Sequence, residues 1–215
     1  MDSQNKEVTE YSAGNGNKNG KMNLPNKLTL FRIILVPVVM VFILMPFPNE
    51  TWSKIFASAL FLIANITDLF DGIIARKYRL TTDFGALMDP LADKFLIVGA
   101  LIAITAAKSF DDIRWLTVWV TTVVFFRELA VTSIRLVANS ADGKVIAANF
   151  TGKLKTFFQD VCILTVLLEN AVITQNLNTP QYLFSYITMA VMLVLTVYSG
   201  FIYFKTYWKY IDPGK

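Results

Sequence analysis

Apolar positions along the chain gather into six long runs separated by short polar connections. After a polar opening, residues 22–47 start with a short amphipathic stretch, 23–32, and continue as an apolar run containing Pro37. A proline there removes one helix hydrogen bond and predicts a kink. Further runs cover about 54–76, 84–107, 113–137, 153–173 and 181–209. Each approaches or exceeds the roughly 20 residues needed to cross a bilayer. The pattern predicts an all-α integral membrane fold of six transmembrane helices with a short N-terminal juxtamembrane amphipathic segment. Short connections predict that consecutive helices pack antiparallel. Residues 1–22, rich in Asn, Gly and Lys, are read as a disordered cytoplasmic tail, and 23–215 as one membrane domain.

Composition narrows the chemistry. Of 215 residues, 54% are hydrophobic, and the mean hydropathy of +0.49 is above that of soluble domains. There is no histidine and only one cysteine, Cys162. Zinc sites of the usual ligands, histidine-based triads and intrachain disulfides are therefore excluded. A bound metal must take oxygen ligands, which favours Mg²⁺, Mn²⁺ or Ca²⁺. Placing the N-terminus in the cytoplasm leaves only Lys54, Lys108 and Arg114 at outer helix ends, and every other Lys and Arg falls inside or in the tails. Trp52, Trp115 and Trp208 fall near run ends, as interfacial aromatics do.

Against this apolar background stands DLFDGIIARKYRLTTDFGALMDPLAD, residues 68–93. An unpaired carboxylate near the bilayer centre costs about 2.5–3.5 kcal/mol, so four together demand compensating charge. Asp68 and Asp71 are three apart and Asp89 and Asp93 four apart, so each pair shares a helix face. A hairpin turning near residue 80 brings both pairs to similar depth at the cytoplasmic side. Four converging carboxylates repel unless cations lie between them, and one or two Mg²⁺ or Mn²⁺ ions satisfy both demands. Gly72, Ala75 and Gly85 are small residues around this point, which suits either close approach of a bulky substrate or plain helix packing.

The arrangement Asp68-x₂-Asp71-Gly72-x₂-Ala75-Arg76-x₈-Gly85-x₃-Asp89-x₃-Asp93 resembles, at every fixed position, the signature of the CDP-alcohol phosphatidyltransferases. The resemblance extends to the six-helix layout. It implies attack by an alcohol on the β-phosphorus of a CDP-linked lipid, releasing CMP, and makes 23–215 a catalytic domain. Asp68, Asp71 and Asp89 are implied metal ligands, with Asp93 completing the site and acting as general base. Asn26, Thr29, Asp68, Gly72, Ala75, Arg76 and Gly85 are implied contacts of the CDP-lipid, although interfacial anchoring accounts equally for Arg32 beside them. A homodimer in a bacterial cytoplasmic membrane, with both termini and the active site on the cytoplasmic side, is also implied. No nucleic-acid partner is expected.

The acceptor must be read from other buried charges. The fourth run carries Arg127, Glu128 and Arg135, and the fifth opens with TGKLKT, placing Lys153 and Lys155 at the inner mouth. Four cations beside a metal site suit an anionic acceptor. The two lysines also satisfy the positive-inside rule without any ligand. RELAVTSIR and TGKLKT resemble the glycerol-3-phosphate branch of the family, which implies CDP-diacylglycerol and sn-glycerol 3-phosphate as substrates. Inositol phosphate or serine as acceptor, an intramembrane prenyltransferase and a cation transporter are the competing readings. Lys94 either neutralises the aspartates or touches substrate, while Gln159 and Asp160 read as polar contacts between helices.

Overall fold

The computed structural model describes residues 24–78, 83–142, 150–173 and 181–211, and among these all regular structure is helical. Six α-helices follow in order: α1 (Leu24–Leu44), α2 (Glu50–Tyr78), α3 (Asp83–Ala106), α4 (Arg114–Asp142), α5 (Phe150–Leu168) and α6 (Leu183–Ile211). A 3₁₀ segment, Lys108–Ile113, leads into α4, and a π-helical turn, Glu169–Ile173, continues α5. The expected tail 1–22 and the hairpin turn near residue 80 lie outside the described residues. From Leu24 onward the amphipathic stretch and the first apolar run form one helix that continues through Pro37.

Local chemistry fixes the helix ends. Asn49 accepts the backbone N–H of Trp52 at 2.9 Å and so caps α2, whose first turn holds Glu50 where the helix dipole favours an anion. At the start of α6 the buried Glu169 carboxylate accepts the N–H groups of Phe184 and Ser185 at 3.0 and 2.6 Å. Lys54, expected as an outer-end charge, is buried: its ammonium donates to the Ile43 carbonyl at 2.5 Å and lies 5.1 Å from the centre of the Phe110 ring. It closes the C-terminal end of α1, whose last carbonyls have no intrahelical donors.

The helices do not pack in the order of the chain. Among the described residues α2 and α3 touch little, because α1 lies against both of them. Likewise α4 and α5 scarcely meet, and α6 packs along each. The expectation that consecutive helices pair is therefore corrected at two of the junctions. The fold is two three-helix halves, α1–α3 and α4–α6, each built around one shared helix. They join along two seams, α3 with α4 and α2 with α5. Hydrophobicity alone could not have shown this, since helices meant for lipid are apolar around most of their surface. A glycine permits one of the closest approaches: a Cβ at Gly99 of α3 would stand 3.0 Å from Val36 Cγ1 of α1.

Among the described residues three segments, Asn26–Leu44, Lys108–Ile134 and Leu183–Tyr207, are long and apolar enough to cross a membrane. The remaining helices, α2, α3 and α5, carry carboxylates and lysines within their length. α1 and α6, the shared helices of the two halves, are both among the three apolar segments.

Candidate active site at the seam

Asp68 on α2 and Asp89 and Asp93 on α3 are placed by the first half alone. α1 carries the residues that hold two of them. Arg32, 1% exposed, forms an ion pair with Asp68, whose side chain is 42% exposed. Three residues earlier on the same face, Thr29 donates its hydroxyl to Asp89 Oδ1 at 2.5 Å. Asn26, one further step back along that face, is buried as well. Thr29 thus lies beside Asp89 and Asn26 is buried on the same face, while Arg32 is a buried partner of an aspartate instead of an interfacial anchor.

Asp93 lies deeper in the seam. Asp68 and Arg32 from the first half, and Lys155 and Glu128 from the second, are all within electrostatic reach of its carboxylate. It also lines a cavity of about 260 Å³ with Lys94, Arg127, Glu128, Thr132, Gly152, Lys153, Lys155, Thr156 and Tyr203. One opening therefore joins an aspartate of the signature to three of the four cations expected on the acceptor side. The side chain of the fourth, Arg135, lies outside the described ones, as do those of Asp71, Gly72, Ala75 and Arg76. Gly85 is buried within α3.

The cations are not independent charges. Glu128 is ion-paired with Lys155 and with Arg127, the latter at 3.1 Å. Arg127 also donates to Ser199 Oγ at 2.9 Å, and its guanidinium stands 5.7 Å from the centre of the Tyr203 ring. Lys153 is exposed at the mouth of the cavity. Lys94 donates to Thr132 Oγ1, so it ties α3 to α4 while lining the same space. Asp160, on α5, meets Asn65 of α2 at the other seam, and Gln159 beside it is wholly buried.

Sequence reasoning named none of Thr132, Gly152, Ser199 or Tyr203. The available signal was slight: Ser199 and Gly200, followed three residues later by Tyr203, interrupt an otherwise apolar helix.

The donor set suits a hard divalent cation, because the acidic side chains supply oxygen only. Among the described residues no three acidic or sulfur-bearing side chains converge closely enough to hold an ion. Asp68 and Asp89 each meet a protein partner through Oδ1, Arg32 and Thr29 respectively, and such contacts fix which way a carboxylate points.

Comparison with known proteins points the same way. The CDP-alcohol phosphatidyltransferase family model matches residues 22–198. A relative from Bacillus subtilis (strain 168), named CDP-diacylglycerol–glycerol-3-phosphate 3-phosphatidyltransferase, is 38% identical over 199 residues, 87% of this chain and 96% of its own length. A Mycobacterium tuberculosis protein named probable phosphatidylglycerophosphate synthase is 39% identical over 178 residues, 83% of this chain and 78% of its own. A Yersinia enterocolitica relative with the same name as the Bacillus protein is 32% identical over 190 residues, covering 88% and 97%. Bacterial relatives and long apolar helices together make this a multi-pass membrane protein. With more than half its length matched by the family model, the chain belongs to the CDP-alcohol phosphatidyltransferase family.

Proposed function

We propose that this chain transfers the phosphatidyl group of CDP-diacylglycerol to sn-glycerol 3-phosphate, giving phosphatidylglycerophosphate and CMP. The observation that carries this reading is the shared cavity in which Asp93 meets Arg127, Lys153 and Lys155. An acceptor bearing a phosphate places its negative charge among the cations and its hydroxyl beside the carboxylate. A volume of about 260 Å³ is below the range typical of drug-sized ligand pockets and suits a small polyol phosphate.

Asp93 accepts the proton of the acceptor hydroxyl. The oxygen so freed forms a bond to the β-phosphorus as the bond from that phosphorus to CMP breaks. Arg127, Lys153 and Lys155, with Arg135, hold the acceptor phosphate so that the hydroxyl is oriented for attack. Arg32 and Thr29 keep Asp68 and Asp89 turned toward the diphosphate. Asn26, Gly72, Ala75, Arg76 and Gly85 form the CDP-lipid side of the site. The family generally uses a divalent metal, and Mg²⁺ or Mn²⁺, as one or two ions on Asp68, Asp71, Asp89 and Asp93, supplies charge neutralisation at the diphosphate when bound.

All six helices cross the membrane in this reading, with the termini and the active site cytoplasmic, as the distribution of Lys and Arg supports. A homodimer is the assembly that the family resemblance implies.

The test is CMP release by purified protein supplied with CDP-diacylglycerol, Mg²⁺ or Mn²⁺, and a panel of glycerol 3-phosphate, inositol phosphate and serine. Release with glycerol 3-phosphate alone is the expected result. Release with inositol phosphate or serine but not with glycerol 3-phosphate overturns the acceptor, and activity undiminished by a chelator overturns the metal.

A further inference from the structure

Arg127 is held by a helix to which the signature gives no role. Ser199 Oγ accepts from Nη2 at 2.9 Å, and the Tyr203 ring centre lies 5.7 Å from the guanidinium carbon. Gly200, next to Ser199, makes room for the arginine stem: a Cβ there would stand 3.3 Å from Arg127 Cγ. Ser199 and Tyr203 are buried and four residues apart, so they share one face of α6 with the glycine close by. Tyr203 is itself stiffened by stacking on Tyr207, with ring centres 5.8 Å apart and planes at 25°. It also borders the cavity, where a Cβ on Gly152 would come within 3.7 Å of its hydroxyl oxygen.

Two features make this more than packing. Glu128 alone would draw Arg127 into a simple ion pair, yet the opposite edge of the guanidinium is anchored on Ser199 and one face on Tyr203. The arginine is thus fixed before any anion arrives, so binding need not spend the freedom of a long side chain. Moreover, Arg127 Nε is buried and has no hydrogen-bond partner among the described residues. A buried donor without a partner is costly, and a phosphate oxygen is the kind of acceptor that relieves it.

We propose that α6, through Ser199, Gly200 and Tyr203, determines affinity for the phosphate of the acceptor: Ser199 and Gly200 as positioning residues for Arg127, and Tyr203 as both its platform and a wall of the subsite. This rests on the cavity being the acceptor site, as argued under Proposed function.

Steady-state kinetics on the full-length protein in CDP-diacylglycerol mixed micelles test it, with each substrate varied at saturation of the other. Ser199→Ala and Tyr203→Leu should each raise KM for glycerol 3-phosphate roughly tenfold, the size of one hydrogen bond to a charged group, while KM for CDP-diacylglycerol stays within about twofold. Tyr203→Phe keeps the aromatic face against Arg127 and should raise KM for glycerol 3-phosphate less than Tyr203→Leu does. Gly200→Ala should behave like Ser199→Ala, because the added methyl pushes the arginine stem. An unchanged KM for glycerol 3-phosphate in Ser199→Ala and Tyr203→Leu overturns the proposal. Equal rises in both KM values, or a Tyr203→Phe variant as impaired as Tyr203→Leu, overturn it by assigning these residues to the general fold or to a tyrosine hydroxyl. A wild-type protein that ignores glycerol 3-phosphate refutes the acceptor reading itself, a result distinct from these.

Discussion

Thr29 Oγ1 of α1 donates to Asp89 Oδ1 of α3 at 2.5 Å, while Arg32, one turn further along the same face of α1, pairs with Asp68 of α2. A single helix therefore grips both aspartate-bearing helices at one level. Groups that orient a metal ligand typically change metal affinity or activity by about 10–100-fold when removed. Thr29→Val should accordingly raise the Mg²⁺ or Mn²⁺ concentration for half-maximal CMP release at least about tenfold. Thr29→Ser, which restores the hydroxyl, should bring it back. Metal titrations of the two variants that coincide would remove Thr29 from this role.

Arg32 presents a second case. Its planar guanidinium is buried against a carboxylate, a geometry that an ammonium does not reproduce. Arg32→Lys should keep the charge but lower kcat/KM for CDP-diacylglycerol by about tenfold or more, the worth of one charge-assisted hydrogen bond. Arg32→Gln, which leaves Asp68 without its partner, should lower it further. Assay at saturating glycerol 3-phosphate isolates the effect on the CDP-lipid, and equal activity in the two variants would show that charge at position 32 does not matter.

Lys155 and Glu128 allow stability to be separated from function. Their side chains are 5% and 12% exposed, and removing Lys155 leaves Glu128 only its pair with Arg127, at a cost that is part of the roughly 3–5 kcal/mol for breaking a buried pair. Lys155→Met should therefore lower the thermal unfolding midpoint clearly. Adding Glu128→Gln, whose amide oxygen can still accept from Arg127, should recover part of that loss without recovering affinity for glycerol 3-phosphate. If the double variant regains both, Lys155 serves the fold alone.

Asp93 is the proposed base. Asp93→Asn preserves shape and removes the proton acceptor, so CDP-diacylglycerol should still bind while turnover falls by at least about a hundredfold, the usual contribution of general base catalysis. Binding measured by isothermal titration and turnover measured by CMP release give the two halves of that comparison. Near-normal turnover would exclude Asp93 as the base.

The sequence was most legible where cost forces a pattern. Six apolar runs became six helices, with boundaries shifted by a few residues where Asn49 and Glu169 supply caps that hydropathy does not register. The aspartates were legible because charge in lipid requires a reason, and Asp93 with Arg127, Lys153 and Lys155 does border one cavity. Partner choice was not legible. Arg32 fits an interfacial anchor and a buried counter-ion equally well until α1 is seen between α2 and α3. Lys54 obeyed a topology rule as a number, yet its ammonium ends on the Ile43 carbonyl. Ser199 and Tyr203 matter through a side chain on another helix, and nothing in their own spacing names Arg127.

The two-seam construction has a consequence for how such enzymes diversify. On the proposed site assignment, recognition of the activated lipid falls to α1–α3 and recognition of the incoming alcohol largely to α4–α6, with the 3₁₀ segment Lys108–Ile113 as the covalent joint between the halves. Drift in the second half can retune which alcohol is accepted without disturbing the helices that grip the signature aspartates. The molecule is in effect a fixed socket and an exchangeable plug, and chimaeras divided at residues 108–113 are the natural way to trade one acceptor for another.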